Sequence, residues 1–291
     1  MNCIFFNAKI EYVYYEEVIS LTKDEKLKEK LLKQQEKIQK KLDKIDSHLN
    51  NEQEKREYLQ YNSVRIQQHR EYRAEIHRRN APPYRSGLEE IGNAVTHGVG
   101  AILATIGLIL MLLKADNFRA NFGAMIYGIS MIFMMLMSCI YHALPRRSMG
   151  KHVLRRFDYT SIYLLIGGTF TPIFLLFFYK YLSTLAIVLC ALQWAIIIAG
   201  ITNVCIFGPG RHKIINFGLY IILGWCGLMF IPYLVKHNMT LFWYILSGGI
   251  VYTIGIIPFV MKNKAAHFIW HFFVLGGAIL QFIGIYLTLY C

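Results

Sequence analysis

Apolar residues in this chain gather into long runs that begin after residue 90. Seven such runs reach the length of about 20 residues that a helix needs to cross a bilayer core, and short polar turns separate them. They cover residues 91–113, 122–144, 157–179, 183–204, 214–234, 241–261 and 267–290. The pattern predicts an all-α protein built as a seven-transmembrane helix bundle.

The residues before the first run follow a different pattern. Residues 21–79 contain no Gly or Pro and are rich in Lys, Glu and Gln, which favours helix. Apolar residues recur there three, four or seven positions apart, at Leu27, Leu31, Ile38, Leu42, Ile45 and Leu49. This narrow stripe predicts a short coiled coil or a helix that lies on another surface. A solvated, partly frayed helix stays open as an alternative, because the stripe spans only about three heptads.

The two patterns meet at Pro82 and Pro83, which end any helix that precedes them. We therefore expect two domains. Residues 1–86 form a charged, partly helical cytoplasmic extension, and residues 87–291 form the transmembrane domain. The helix of the extension is a candidate surface for self-association or for a protein partner.

Composition and charge agree with a membrane protein. The chain has 291 residues, of which 55% are hydrophobic and 17% are charged, and this is too apolar for an ordinary soluble domain. Eighteen of the 31 Lys and Arg residues and 14 of the 18 Asp and Glu residues precede Gly87, so the net charge is +4 before that residue and +9 after it. The later basic residues stand between apolar runs, which indicates membrane topology and argues against nucleic-acid binding.

The basic residues also predict the orientation of the bundle. They are frequent in every second turn, at Arg146, Arg147, Lys151, Arg155, Arg156, Arg211, Lys213, Lys262 and Lys264. The alternate turns hold fewer, namely Lys114, Arg119, Lys180 and Lys236. Because basic turns stay on the cytoplasmic side, we expect a multi-pass protein of the plasma membrane with its N-terminus in the cytoplasm and its C-terminus outside.

Five polar side chains lie at the predicted cytoplasmic ends of three runs. His267 and His271 open the seventh run four residues apart, so they share one face of a helix. Ser138 and His142 have the same spacing at the end of the second run, and Asp158 opens the third. Polar groups in bilayer-length segments usually line a cavity or a site. The five residues therefore predict a functional site at one depth of the membrane.

Three imidazoles with one open position are a ligand set of catalytic zinc, which lowers the pKa of a bound water and polarises a carbonyl. His142, His267 and His271 are the candidate ligands. Asp158 could bind the metal directly or take a proton from the water, and we favour the second role. Ser138 could donate to a developing oxyanion or hold a ligand in place.

Each residue also has a simpler interpretation. Asp158 could form a salt bridge with Arg155 or Arg156, and the Ser138 hydroxyl could bond back to its own helix. One histidine of the pair 267 and 271 could be interfacial and the other packed. Taken singly these interpretations are the stronger ones, and it is the coincidence of all five residues at one depth that favours a site.

Four segments of the sequence resemble the hemolysin III family, which is related to the progestin and adipoQ receptors and, more distantly, to alkaline ceramidases. They are Ser-Cys-Ile-Tyr-His at 138–142, the segment 157–172 that begins Phe-Asp-Tyr-Thr, His-Phe-Ile-Trp-His at 267–271, and Asn-Ala-Val-Thr-His at 93–97. The resemblance covers residues 88–290. The extension before Gly87 has no counterpart in it.

The resemblance implies seven helices and a zinc ion held by His142, His267 and His271 near the cytoplasmic face, with Asp158 and Ser138 beside it. His97 matches a family position that is not a zinc ligand, so we expect it to support packing or to contact a ligand. Tyr159 departs from the family pattern, because many relatives carry a second His there.

Three functions follow from these observations. The first is a zinc-dependent hydrolase, similar to a ceramidase, that uses a metal-bound water on a lipid amide or ester reaching the site from the bilayer. The second is the pore-forming cytolysin that the family name implies, although a pore requires polar residues along the whole span. The third is a receptor or sensor with a structural zinc.

Overall fold

The computed structural model describes residues 8–9, 11–16, 19, 25–47, 52–146, 148–261 and 263–291. Leu49, Arg147 and Lys262, which entered the stripe and the orientation above, lie outside these residues. All regular elements in the described ranges are helices. The chain divides into two compact units, Met1–Arg78 and Arg79–Cys291.

The first unit is built on α1 (Glu25–Asp46) and most of α2 (Glu52–Asn80). Of the predicted stripe, Leu31, Ile38 and Leu42 are buried, whereas Leu27 is exposed. Ile38 and Leu42 pack in one cluster with Ala8, Tyr12, Tyr15, Ile45 and Tyr58. This part of the stripe is therefore covered by residues of the extension itself.

The described residues of the second unit form eight α-helices of seven residues or more. They are α3 (Gly87–Lys114), α4 (Phe118–Ala143), α5 (Met149–Pro172), α6 (Ser183–Phe207), α7 (Lys213–Gly224), α8 (Ile231–His237), α9 (Met239–Val260) and α10 (Ala266–Ile285). Helix α5 continues through a π-helical turn to Tyr181, and α10 continues as a π-helix to Tyr290. Consecutive helices pack side by side, and α10 closes the bundle against α3 and α9.

Six helices of the described chain are long and apolar enough to cross a membrane. They are α3, α4, α6 and α9, together with α5 as far as Tyr181 and α10 as far as Tyr290. Their outer faces expose large apolar side chains such as Ile106, Leu113 and Ile198, as expected of a surface that faces lipid. The prediction of an all-helical, multi-pass membrane protein is confirmed.

The fifth predicted run, residues 214–234, is not one continuous helix. It comprises α7, a 3₁₀-helix at Cys226–Phe230, and α8, which has a proline in its first turn. The ends of the segment contact different parts of the bundle. The His212 ring lies 5.1 Å from the ring of Phe207, and the His237 ring lies 4.2 Å from that of Tyr181. The count of seven spans and the orientation of the termini stay predictions.

Two serine caps start helices earlier than the apolar runs indicate. The Ser86 hydroxyl accepts the backbone N–H of Glu89 and starts α3 four residues before Ile91. The Ser148 hydroxyl accepts the N–H of Lys151 and starts α5 eight residues before Phe157. Such caps satisfy N–H groups that have no partner within the helix. The added turns bring charged residues into the bundle.

Helices α9 and α10 approach most closely where one of them carries glycine. A Cβ atom added at Gly277 would lie 2.9 Å from three ring atoms of Tyr252. At the neighbouring Gly276 the nearest atom would be a methyl group of Val251 at 3.7 Å, which is an ordinary contact. Gly277 is therefore, with Gly255 and Gly284, one of the glycines that let the two helices pack closely, whereas Gly276 is not.

We expect Gly277→Ala to destabilise the protein by about 1–3 kcal/mol, because the added methyl group overpacks the contact with the Tyr252 ring. Gly276→Ala is the matched control and should unfold at the wild-type temperature or slightly above it. Thermal unfolding of both variants in one detergent measures the difference. Equal unfolding temperatures would show that the glycine contact does not limit helix packing.

Candidate metal centre

Three histidines converge at one end of the bundle. His142 lies in the last turn of α4, and His267 and His271 lie in the first two turns of α10. One side-chain nitrogen from each can be chosen so that the three atoms all lie within 4.8 Å of one another. The three histidines could therefore hold one metal ion. His142 and His271 are buried, and His267 is partly exposed.

Two ring nitrogens of this group have no protein partner in the described part of the chain. They are Nε2 of His142 and Nδ1 of His271, and both are buried. A buried polar atom without a partner costs about 1–3 kcal/mol, so these two atoms are suited to bind a ligand. A tetrahedral metal bonded to nitrogen at about 2.1 Å holds two such atoms about 3.4 Å apart. The residues fit a divalent metal after a small inward movement of the rings.

The other ring nitrogen of His142 faces helix α3. Its Nδ1 atom lies 2.6 Å from Oε2 of Glu90 and 3.3 Å from Nδ2 of Asn93. The second oxygen of Glu90, Oε1, accepts a hydrogen bond from Nζ of Lys151 at 2.8 Å. The side-chain exposed fractions are 0% for His142, 16% for Glu90 and 1% for Lys151. The charges of Glu90 and Lys151 are thus paired where little water reaches.

Lys151 also caps the C-terminus of α4. Its ammonium donates to the carbonyl of Leu144 at 2.9 Å and to that of His142 at 3.4 Å. The last carbonyls of a helix have no partner within it and carry partial negative charge, so a cation there is favourable. Lys151 therefore binds the end of the helix that carries His142.

His97 of α3 packs on the face of His271. The two rings are stacked, with centroids 3.8 Å apart and an angle of 27° between their planes. Neither nitrogen of His97 has a hydrogen-bond partner among the described residues, and His97 is not part of the three-histidine group. The structure places it as a packing contact of a candidate ligand.

Ser138 and Asp158 line the same cavity as His267 and His271. Within the described chain, Asp158 forms no ion pair with Arg155 or Arg156, and Arg155 instead donates to the carbonyl of Ala81 at 2.9 Å. Ser138 is a buried residue, and its hydroxyl forms no hydrogen bond to its own helix among the described residues. The simpler interpretations of these two side chains do not describe the structure. Asp158 is not in the three-histidine group.

The cavity is large and mostly apolar. Its volume is about 1000 Å³, and Leu165, Phe170 and Val274 are among its inner walls. Basic side chains, including Arg85, Lys213 and Lys264, lie along its lining near the helix ends. Tyr159 also lines it, and the Arg155 guanidinium lies 5.5 Å from the centre of its ring. The cavity is therefore polar at one end and apolar in its interior.

The sequence pattern did not identify Glu90, Asn93 and Lys151 as site residues. In the sequence, Glu90 only flanks the first apolar run, and Lys151 is one of the basic residues of a turn. One signal was present, since Glu90, Asn93 and His97 are spaced three and four residues apart and share a helix face. No comparable signal in the sequence marks Lys151, because its role depends on contacts with two other helices.

The fold and the three-histidine group define a multi-pass helical membrane protein with a potential metal site at one end of its bundle. Residues 86–282 match the family described as haemolysin-III related. The chain belongs to this family, which confirms the resemblance seen in the sequence.

Two relatives support the assignment. The chain is 33% identical over 199 residues to a hemolysin-3 homolog of Bacillus subtilis (strain 168), covering 67% of this chain and 91% of the relative. It is 38% identical over 202 residues to hemolysin-3 of Bacillus cereus, covering 67% of this chain and 89% of that protein. Residues before 86 lie outside the family match.

We expect the purified protein to bind about one divalent metal ion per chain and His142→Ala to retain less than about a tenth of it, because one of three ligands is lost. His237→Ala is the control, since this exposed residue stacks on Tyr181 and not on the group. Elemental analysis after gel filtration measures both. Equal metal content in the two variants would exclude His142 as a ligand.

Proposed function

We propose that this protein is a zinc-dependent hydrolase that cleaves an amide or ester bond of a membrane lipid. The observation that carries the proposal is the convergence of three imidazoles, two of which, those of His267 and His271, line a large, mostly apolar cavity together with Ser138 and Asp158. An apolar cavity of this size suits an acyl chain. A lipid carbonyl at the polar end of the cavity would lie beside the histidines.

The donor set favours zinc. His142, His267 and His271 would hold the ion, and imidazole nitrogen is a preferred zinc ligand. No carboxylate or thiolate of the described chain joins the group, which leaves a coordination position for water or substrate. When bound, zinc would supply a Lewis acid for the carbonyl and a water of lowered pKa.

Asp158 and Ser138 complete the proposed chemistry. The Asp158 carboxylate has no cation paired with it in the described chain, so it is available to take a proton from the attacking water. The water oxygen bonds to the carbonyl carbon, the carbon–nitrogen or carbon–oxygen bond breaks, and Asp158 returns the proton to the leaving atom. The Ser138 hydroxyl can donate to the carbonyl oxygen as negative charge develops on it.

We expect zinc-loaded protein in lipid nanodiscs to release fatty acid from a panel of long-chain N-acyl amides and acyl esters. Asp158→Asn should lower kcat by about 10²–10⁴-fold, because the general base is lost, and should keep its zinc. Asp116→Asn, which changes an exposed acid in the turn between α3 and α4, is the control. Mass spectrometry of the lipid products gives the rates.

The outcomes of this assay are distinct. Turnover that persists in Asp158→Asn would remove Asp158 from the mechanism. A zinc-loaded wild-type protein that cleaves no lipid of the panel would argue against the hydrolase and favour a structural zinc, as in a receptor or sensor.

The names of the two relatives raise membrane lysis as a second candidate. The site described above gathers its polar residues at one end of the bundle, whereas a conducting pore needs polar groups along its length. Protein added to dye-filled vesicles of phosphatidylcholine and phosphatidylglycerol should therefore cause no more release than heat-denatured protein. Equal release by wild type and His271→Ala, well above that control, would support lysis that is independent of the metal.

A further inference from the structure

The contact between Glu90 and His142 determines which nitrogen of His142 can bind a metal. A neutral imidazole carries a proton on one nitrogen and a lone pair on the other. Nδ1 lies 2.6 Å from a Glu90 oxygen, whereas Nε2 is buried without a protein partner in the described chain. If the proton is on Nδ1, it is donated to Glu90 and the Nε2 lone pair remains for a metal.

Lys151 makes this arrangement the favoured one. Its ammonium lies 2.8 Å from the other Glu90 oxygen and is almost completely buried. A buried cation stabilises the ionised form of a carboxylate beside it. An ionised carboxylate accepts hydrogen bonds and donates none. At 2.6 Å it therefore requires a proton on Nδ1 of His142.

The nearby Asn93 amide does not reverse this conclusion. Its Nδ2 atom lies 3.3 Å from Nδ1 of His142, considerably farther than the Glu90 oxygen. An amide N–H could donate to Nδ1 only if Nδ1 carried the lone pair, which would then face the carboxylate. The shorter, charge-assisted contact is the stronger of the two.

We propose that Glu90 is a positioning residue of the metal centre: held by Lys151, its carboxylate accepts a hydrogen bond from Nδ1–H of His142 and directs the Nε2 lone pair towards His267 and His271. Hydrogen bonds of this kind orient metal-binding histidines and make them more basic. The proposal rests on the metal site of the proposed function. It does not depend on whether that site hydrolyses lipids.

Two variants distinguish a loss of His142 positioning from a loss of folding stability. Glu90→Gln removes the charge but leaves Lys151 buried without its anion, which by itself destabilises a protein. The double variant Glu90→Gln with Lys151→Met removes both charges. Glu89→Gln is the matched control, because it changes the adjacent acid, which contacts neither His142 nor Lys151 among the described residues.

The full chain is titrated in detergent with zinc in competition with a chromophoric chelator. We expect the dissociation constant to rise about 10- to 100-fold in Glu90→Gln and in the double variant, and to stay unchanged in Glu89→Gln. The double variant should unfold near the wild-type temperature without metal. The visible absorption of the cobalt-loaded protein should change with the first two variants and not with the control.

The possible outcomes distinguish a failure of the positioning role of Glu90 from a failure of the proposed hydrolase function. Wild-type zinc affinity and cobalt absorption in both Glu90 variants would overturn the positioning role and leave the hydrolase intact. Normal behaviour in this titration with no lipid turnover would remove the hydrolase and keep Glu90. A wild-type chain that binds no zinc would overturn both.

Discussion

The structure of the candidate metal centre depends on one buried ammonium group. Lys151, near the start of α5, pairs with Glu90 of α3 and donates to two carbonyls at the end of α4. A buried charge is costly unless it is paired and hydrogen-bonded, and Lys151 meets both conditions only when these three helix ends lie together. The same contacts place the Glu90 carboxylate against His142. The contacts that compensate the charge of Lys151 therefore also fix the position of the Glu90 carboxylate beside His142.

Much of the site could be predicted from residue spacing. Two histidines four residues apart share a face wherever the chain is helical, and the lengths of the apolar runs placed His142, Asp158 and His267 at the ends of spans. The structure brings the three histidines together and places Ser138 and Asp158 along the cavity that His267 and His271 line. These features are local or follow from the length of a span, so a single sequence contains them.

The remaining features depend on contacts between elements. Lys151 and Arg155 look like topology charges in the sequence, yet both are buried, one against Glu90 and the other on the carbonyl of Ala81. The basic turns used for orientation therefore include residues with structural roles. Hydropathy also describes residues 214–234 as one span, because it does not register where a glycine and a proline interrupt helical hydrogen bonding.

Glu90 and Asp158 have different surroundings, and this difference suits the separate roles proposed for them. Glu90 is held by a buried cation and contacts a ring nitrogen, so it is suited to remain ionised and to fix a ligand. Asp158 lines the cavity and has no paired cation in the described chain. A carboxylate in that position can accept a proton without breaking an ion pair. Two carboxylates can thus serve separate functions when their environments differ, one positioning a ligand and the other exchanging a proton with the contents of the cavity.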